Sequence, residues 1–240
     1  MGFSKAKWEL FLQTLAQKNW QNDIIVGLKN TLLIAICGLL IGIVIGVIVG
    51  IIRVAPKYKW YAKVADKICL VYVTVFRGTP TVVQLLLGYY VVGSLCVTIF
   101  GSFIPALYAA IIILGLNSGA YLSEMVRGGI NSVDKGQLEA SRALGLSYRT
   151  SMIKVVIPQA IKNIIPSIGN EFIALVKETC VVGFISVANL TKVFTEMSGN
   201  NFLFMFTYLL MAIIYIAIIV IASIVVKFIE RMLARSDRRN

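Results

Sequence analysis

Residues 30–52 read NTLLIAICGLLIGIVIGVIVGII, a run with no charged side chain. At 1.5 Å per residue, about 20 apolar residues cross the ~30 Å hydrocarbon layer of a bilayer, so this run makes one complete crossing. Its surroundings agree. The 240-residue chain is 58% hydrophobic and 14% charged, with mean hydropathy +0.85, above the roughly 45–50% apolar share of soluble domains. That length holds five or six such helices and no large soluble domain besides. Within the run, Gly38, Gly42, Gly46 and Gly50 recur every fourth residue, which presents a face where a neighbouring helix can bring its backbone close.

Working outward, Arg53, Pro56, Lys57, Lys59 and Lys63 end this span. A second apolar stretch covers about 68–92, interrupted at Arg77-Gly78-Thr79-Pro80, and a third covers about 104–125. The polar segment 126–163 follows. A fourth span, about 164–190, is broken by Pro166, Gly169, Glu171 and the pair Lys177-Glu178; a fifth covers about 202–226. The expected fold is all-α and polytopic, with five transmembrane helices in residues 24–227 and a basic tail at 228–240. In the preceding segment 1–23, Trp8, Phe11, Leu12 and Leu15 fall at helical spacing among polar residues, which predicts an amphipathic helix on the membrane surface. The first twenty residues lack the apolar core of a signal peptide. Ala6 stands where a myristoylation motif beginning Met1-Gly2 requires Ser or Thr.

Lys and Arg number 23 against 11 Asp and Glu. The linker 53–67, the segment 126–163 and the tail hold far more of these cations than the opposite side, which has Lys5, Lys7, Lys18, Lys29 and Lys192. That asymmetry makes the linker, segment and tail cytoplasmic and puts the N-terminus outside. The tail's cations enforce orientation and touch anionic lipid; no nucleic-acid partner is expected. With no histidine, imidazole ligands and histidine-based triads are excluded. Cys37, Cys69, Cys96 and Cys180 have no CxxC spacing and read as small hydrophobes, so no metal site is expected.

The long cytoplasmic segment needs a purpose. Residues 134–145, DKGQLEASRALG, read as a short helix stopped by a glycine suited to positive φ. A second short helix, Ser147 to Val156, follows and is expected to close at Ile157-Pro158. Two helices at an angle, with small residues on the first, form a knob that a cleft on another protein can grip, or else a solvated amphipathic loop.

Here the chain resembles a family. Glu139-Ala140, Gly145 six residues after that glutamate, and Pro158-Gln159-Ala160 resemble the cytoplasmic signature of permease subunits of ATP-binding cassette importers. Arg77-Gly78-Thr79-Pro80 with Gln84-Leu85, Ala120-Tyr121, Glu124, Arg127-Gly128-Gly129-Ile130, then Pro166, Asn170 and Lys177-Glu178-Thr179 are similar to its polar amino acid branch, the histidine, glutamine and arginine permeases. The likeness runs from about Ile24 to Lys227. Ser141 replaces a common alanine and Cys180 a common serine, both small changes.

The resemblance implies a type I importer permease in the bacterial inner membrane. It pairs with a second permease, as homodimer or with a paralogue, and docks on two ATPase subunits through Glu139, Ala140, Ser141, Arg142 and Gly145. Glu139 either caps the helix or pairs with a basic group on the ATPase. An extracellular solute-binding protein delivers the amino acid. No G-x-x-x-x-G-K-[ST] phosphate loop occurs in the sequence, so the chain is not an enzyme by that route. No cofactor is expected in it; ATP and magnesium belong to the partner ATPase.

An amino acid zwitterion needs a cation for its carboxylate and an anion for its ammonium. Ionisable groups within spans are where to look. Arg77 or Lys177 is expected to meet the carboxylate and Glu124 the ammonium, with Thr79, Asn117 and Asn170 as neutral hydrogen-bonding partners along the path. Broken helices also free backbone groups for polar ligands. The alternative is that Lys177 with Glu178, or Arg77 with Glu124, form structural ion pairs. Two rival functions remain. An ATP-independent channel or a secondary transporter accounts for the intramembrane charge, although no internal repeat of the kind common in secondary transporters is present.

Overall fold

The computed structural model describes residues 5–237, so Met1-Gly2 and the tail cations Arg238 and Arg239 lie outside the described residues. Among those described, every regular element is helical: α1 Lys5–Ala16, α2 Lys18–Val54, α3 Trp60–Gly78, α4 Thr81–Leu86, α5 Gly93–Phe100, α6 Ala106–Asn131, α7 Lys135–Ala143, α8 Tyr148–Ser151, α9 Ile157–Glu178, α10 Leu190–Asn201 and α11 Phe204–Asp237. Wider π turns at Leu87–Val92 and Met152–Val156 link α4 to α5 and α8 to α9, and a 3₁₀ stretch Thr179–Ile185 follows α9. Four helices are long and apolar enough to cross a membrane: Lys18–Val54, Thr81–Ile99, Ala106–Asn131 and Phe204–Met232. The pair Tyr148–Ile185 and Leu190–Asn201, bent by 54°, makes a fifth when counted as one broken span.

Three stretches differ in detail from the sequence reading. The apolar run 68–92 is two helices, because Pro80 disfavours helical backbone at the preceding residue and Thr79 is extended at φ −120°, ψ 148°. The fourth run is less broken than expected: α9 passes through Pro166 and stops only at Glu178, with Lys177 in its last turn. The helix beginning at Tyr148 also does not close at Ile157-Pro158. It runs into α9 through the π turn Met152–Val156, a local widening of the kind that absorbs a ring with no N–H to donate.

The chain forms two compact units. One comprises Met1–Gly38, Pro80–Leu114 and Ala174–Ala222, the other Leu39–Thr79, Gly115–Ile173 and Ser223–Asn240. In the first, Leu190, Phe194 and Met197 are buried against Trp20, Ile24 and Leu28 of α2 and Leu210, Ile214 and Tyr215 of α11. The amide of Leu190 donates to Thr31 Oγ1 at 3.1 Å and Asn30 Nδ2 to the Ala188 carbonyl at 2.8 Å. Asn189 caps α10, accepting from the Lys192 amide, and donates to the Thr179 carbonyl at 2.7 Å. Helix α1 is held by Phe11, which is buried with Leu203 and Phe206 and has its ring centroid 5.7 Å from that of Phe206. Trp8 and Leu12, on the same apolar face read from the sequence, are exposed on the protein surface.

In the second unit, glycine sets how closely α2 and α6 approach. A Cβ added at Gly42 would lie 2.8 Å from Ser118 Oγ, at Gly46 2.6 Å from Leu122 Cβ, and at Gly50 2.7 Å from Val126 Cγ1. A second core joins the end of α6 to α9: Val126, Ile130, Val133, Val156, Ala160 and Ile164 are buried, with Val54, Leu138 and Met152 against them. Gly46→Val is expected to cost about 1–3 kcal/mol through overpacking. Thermal unfolding of the purified protein checks it, because Gly78→Ala, whose added Cβ meets nothing within 4 Å, is expected to stay within about 0.5 kcal/mol.

Candidate functional site

Two places in the second unit gather the residues singled out from sequence. The first is Glu124, which faces three arginines. Arg53, at the end of α2, donates through Nη1 to Glu124 Oε1. Arg127, one turn further along α6, donates to Oε2 from Nε at 3.1 Å and from Nη2 at 2.6 Å. Arg77 Nη1 stands 3.9 Å from the same Oε2, with its guanidinium carbon 5.3 Å from the centroid of the Tyr121 ring. The side chains of Arg53 and Glu124 are 14% and 17% exposed, whereas Arg77 is 42% exposed.

The end of α3 is fixed beside this cluster. Tyr72 donates to the Leu116 carbonyl at 2.5 Å and Asn117 Nδ2 to the Phe76 carbonyl at 3.4 Å. Thr79 Oγ1 turns back to the Val75 carbonyl at 2.8 Å. Arg77 therefore faces Glu124, and Thr79 and Asn117 each bond a carbonyl in the last turn of α3. Asn170 lies exposed on α9. Lys177, exposed, and Glu178, half-buried, belong to the other compact unit. Sequence reasoning counted Arg53 and Arg127 only as loop cations; the one available signal was Glu124-x-x-Arg127, which puts both on one helix face. It also passed over Glu171, 6% exposed on α9, as no more than a break in a span.

The second place is the elbow at α7. Asp134 caps its N-terminus, accepting from the Gly136 amide at 2.6 Å. At the other end Gly145 has φ +82°, the Leu146 amide donates to the Ser141 carbonyl at 3.2 Å, and the Gly145 amide donates to the Arg142 carbonyl at 3.0 Å. These two bonds are the Schellman pattern. Arg142 Nη1 adds a bond to the Leu146 carbonyl at 2.8 Å. Ser141 is buried and donates to the Leu138 carbonyl at 2.8 Å, while Glu139, Ala140, Arg142 and Gly145 are exposed. A pocket of about 620 Å³ beneath α7 is lined by Ile130, Asp134, Leu138, Glu139, Tyr148 and Met152, among others.

Against known proteins, residues 42–235 match the family described as binding-protein-dependent transport system inner membrane component. The arginine transport system permease protein ArtQ of Bacillus subtilis (strain 168) is 38% identical over 69% of this chain and 74% of its own length. The glutamine transport system permease protein GlnP of Escherichia coli (strain K12) is 34% identical over 70% and 75%. A crystal structure of an amino acid ABC transporter with histidines has a chain superposing with TM-score 0.80 at 33% identity, covering 97% of this chain and 100% of that one. The chain belongs to this family of inner membrane transport components. It is a multi-pass permease subunit of an ATP-binding cassette importer, not itself catalytic, built to work with ATPase subunits and a second permease.

The two arginines flanking Glu124 differ in what they carry. Arg53→Ala removes a mostly buried hydrogen bond to Glu124 but leaves Arg127 paired with it, and is expected to destabilise by about 1.5–3 kcal/mol, whereas loss of the exposed Arg77 is expected to cost under about 1 kcal/mol. Unfolding midpoints of the two purified variants check that order.

Proposed function

We propose that this chain forms half of the translocation path of an ATP-driven importer of polar amino acids. Its N-terminus faces outward, and the 53–67 linker, the 126–163 segment and the tail lie in the cytoplasm. The observation that carries the reading is the likeness along nearly the whole chain to an amino acid transporter, supported by relatives named for arginine and glutamine. A solute-binding protein outside delivers the amino acid. ATP and magnesium are held by two ATPase subunits, and this chain contributes no cofactor of its own.

Coupling runs through α7. Glu139, Ala140, Ser141, Arg142 and Gly145 form the docking knob: Ser141 is the buried root, Arg142 and Gly145 fix the turn, and the exposed Glu139 and Ala140 meet the ATPase. Arg77, Thr79, Asn117 and Glu124, with Asn170, Lys177 and Glu178 elsewhere on the path, supply its polar groups. An ATP-independent channel or a secondary transporter would need none of the α7 geometry.

Reconstitution with the ATPase and binding protein tests both levels. Wild-type vesicles are expected to accumulate L-arginine or L-glutamine only when ATP is present; uptake without nucleotide overturns the importer reading. Gly145→Val, which forces a β-branched residue to positive φ at a cost of about 1–3 kcal/mol, and Glu139→Lys are each expected to reduce uptake at least tenfold. Copurification of the ATPase subunit should fall with uptake in both variants. Full uptake and retained ATPase in both would remove α7 from coupling.

A further inference from the structure

The bonds around Glu124 are unequal. Three guanidinium groups against one carboxylate leave two positive charges in excess. Oε1 is taken by Arg53 and Oε2 by both donors of Arg127. Arg77, at 3.9 Å from Oε2, is beyond hydrogen-bond range. It is the most exposed of the three, and it rests on the face of Tyr121 one residue before α3 ends at Gly78. Both oxygens of Glu124 are thus engaged without Arg77. The planar fork of Arg77 has only the 3.9 Å contact with Glu124 and the face of Tyr121, while the last turn of α3 behind it is pinned by Asn117.

We infer that Arg77 reads the α-carboxylate of the transported amino acid, exchanging its loose contact with Glu124 for a bidentate bond to the solute. Arg53 and Arg127 act as positioning residues that hold Glu124 neutralised in the wall of the path, beside Arg77. This rests on the reading that the solute is a polar amino acid, and it departs from the expectation drawn from sequence in one respect: Glu124 anchors the cluster and does not receive the ammonium. The chemistry favours the exchange. A guanidinium fork matches a carboxylate in two parallel N–H···O bonds, and an incoming anion lowers the excess positive charge that an incoming cation would raise. The zwitterion is therefore met carboxylate first, with its ammonium directed away from the arginines. An ester or amide, lacking the negative charge, gains neither the fork nor the field.

The test uses the assembled permease–ATPase complex in nanodiscs, without binding protein, so that affinity reports the membrane path alone. Binding of L-glutamine and L-arginine is measured beside the α-amide of each. Wild type is expected to prefer the free acid over the amide by tenfold or more. Arg77→Ala should bring that ratio close to one, and Arg77→Lys, which keeps the charge and loses the fork, should recover part of it. A merely structural role would lower the amount of complex or shift all four affinities together while leaving the ratio intact. A ratio unchanged in Arg77→Ala, or absent in wild type, overturns the inference. If wild type with its binding protein still accumulates these amino acids on ATP, only the role of Arg77 falls. If it does not, the functional reading falls as well.

Discussion

A methyl group on Gly46 would stand 2.6 Å from Leu122 Cβ, closer than real side chains come. In lipid there is no hydrophobic drive between helices, so van der Waals contact of this kind is what holds them, and it demands small residues on one side. Opposing Gly42, Gly46 and Gly50 to Ser118, Leu122 and Val126 fixes not only the distance between α2 and α6 but their register. Arg53 comes three residues after Gly50, and Glu124 two residues after Leu122. A slip of one helical turn, 5.4 Å, would part them. The charge cluster is therefore a consequence of backbone packing, and it lasts as long as that packing does.

That dependence explains why one carboxylate can serve three arginines. An arginine near the membrane interior costs about 2.5–3.5 kcal/mol at a helix centre and less toward its ends, so each must find a counter-charge or reach water. Arg53 is mostly buried and takes one oxygen of Glu124 for itself; Arg127 shares a helix with Glu124 and takes the other. Arg77 is satisfied in part by exposure and by the face of Tyr121. Attachment does not simply track burial, because Arg127 is 39% exposed and Arg77 42%, yet only Arg127 is hydrogen-bonded to Glu124. A site arranged this way has a tightly bonded part and a loosely bonded part built from chemically identical side chains, and the proposed anion exchange falls on the loosely bonded one.

Much of this was legible in the sequence, for physical reasons that differ from place to place. The glycine period is local and needs only one helix to be read. The elbow was legible because its stop signals, Asp134 and Gly145, act within a few residues of themselves. The break at Thr79-Pro80 was legible because a proline restricts its own predecessor, although the two helices it separates were read as one span. The partners of Glu124 were not. Arg53 lies 71 residues away, and loop cations carry an ordinary meaning, orientation, that conceals any other. Pro158 misled because a π turn can absorb it, and that depends on packing no local pattern reveals.

Stiffness decides whether the elbow can transmit motion at all. A loosely attached loop gripped by another subunit would bend and dissipate the displacement. Helix α7 instead is capped at one end, closed by two backbone bonds and an arginine at the other, and tied to α9 where Gln159 Nε2 donates to Gln137 Oε1 at 3.2 Å. Beneath it Leu138 packs on the apolar core that contains Val126 and Ile130 of α6 and Ala160 and Ile164 of α9. That core anchors α7 through Leu138, although the helix also overhangs the pocket of about 620 Å³ that Leu138 and Ile130 line. Val126 lies two residues from Glu124 on the same helix. In the proposed coupling, a displacement of α7 would pass through Leu138 and the core it packs on to α6, where the most loosely bonded partner of Glu124 is Arg77.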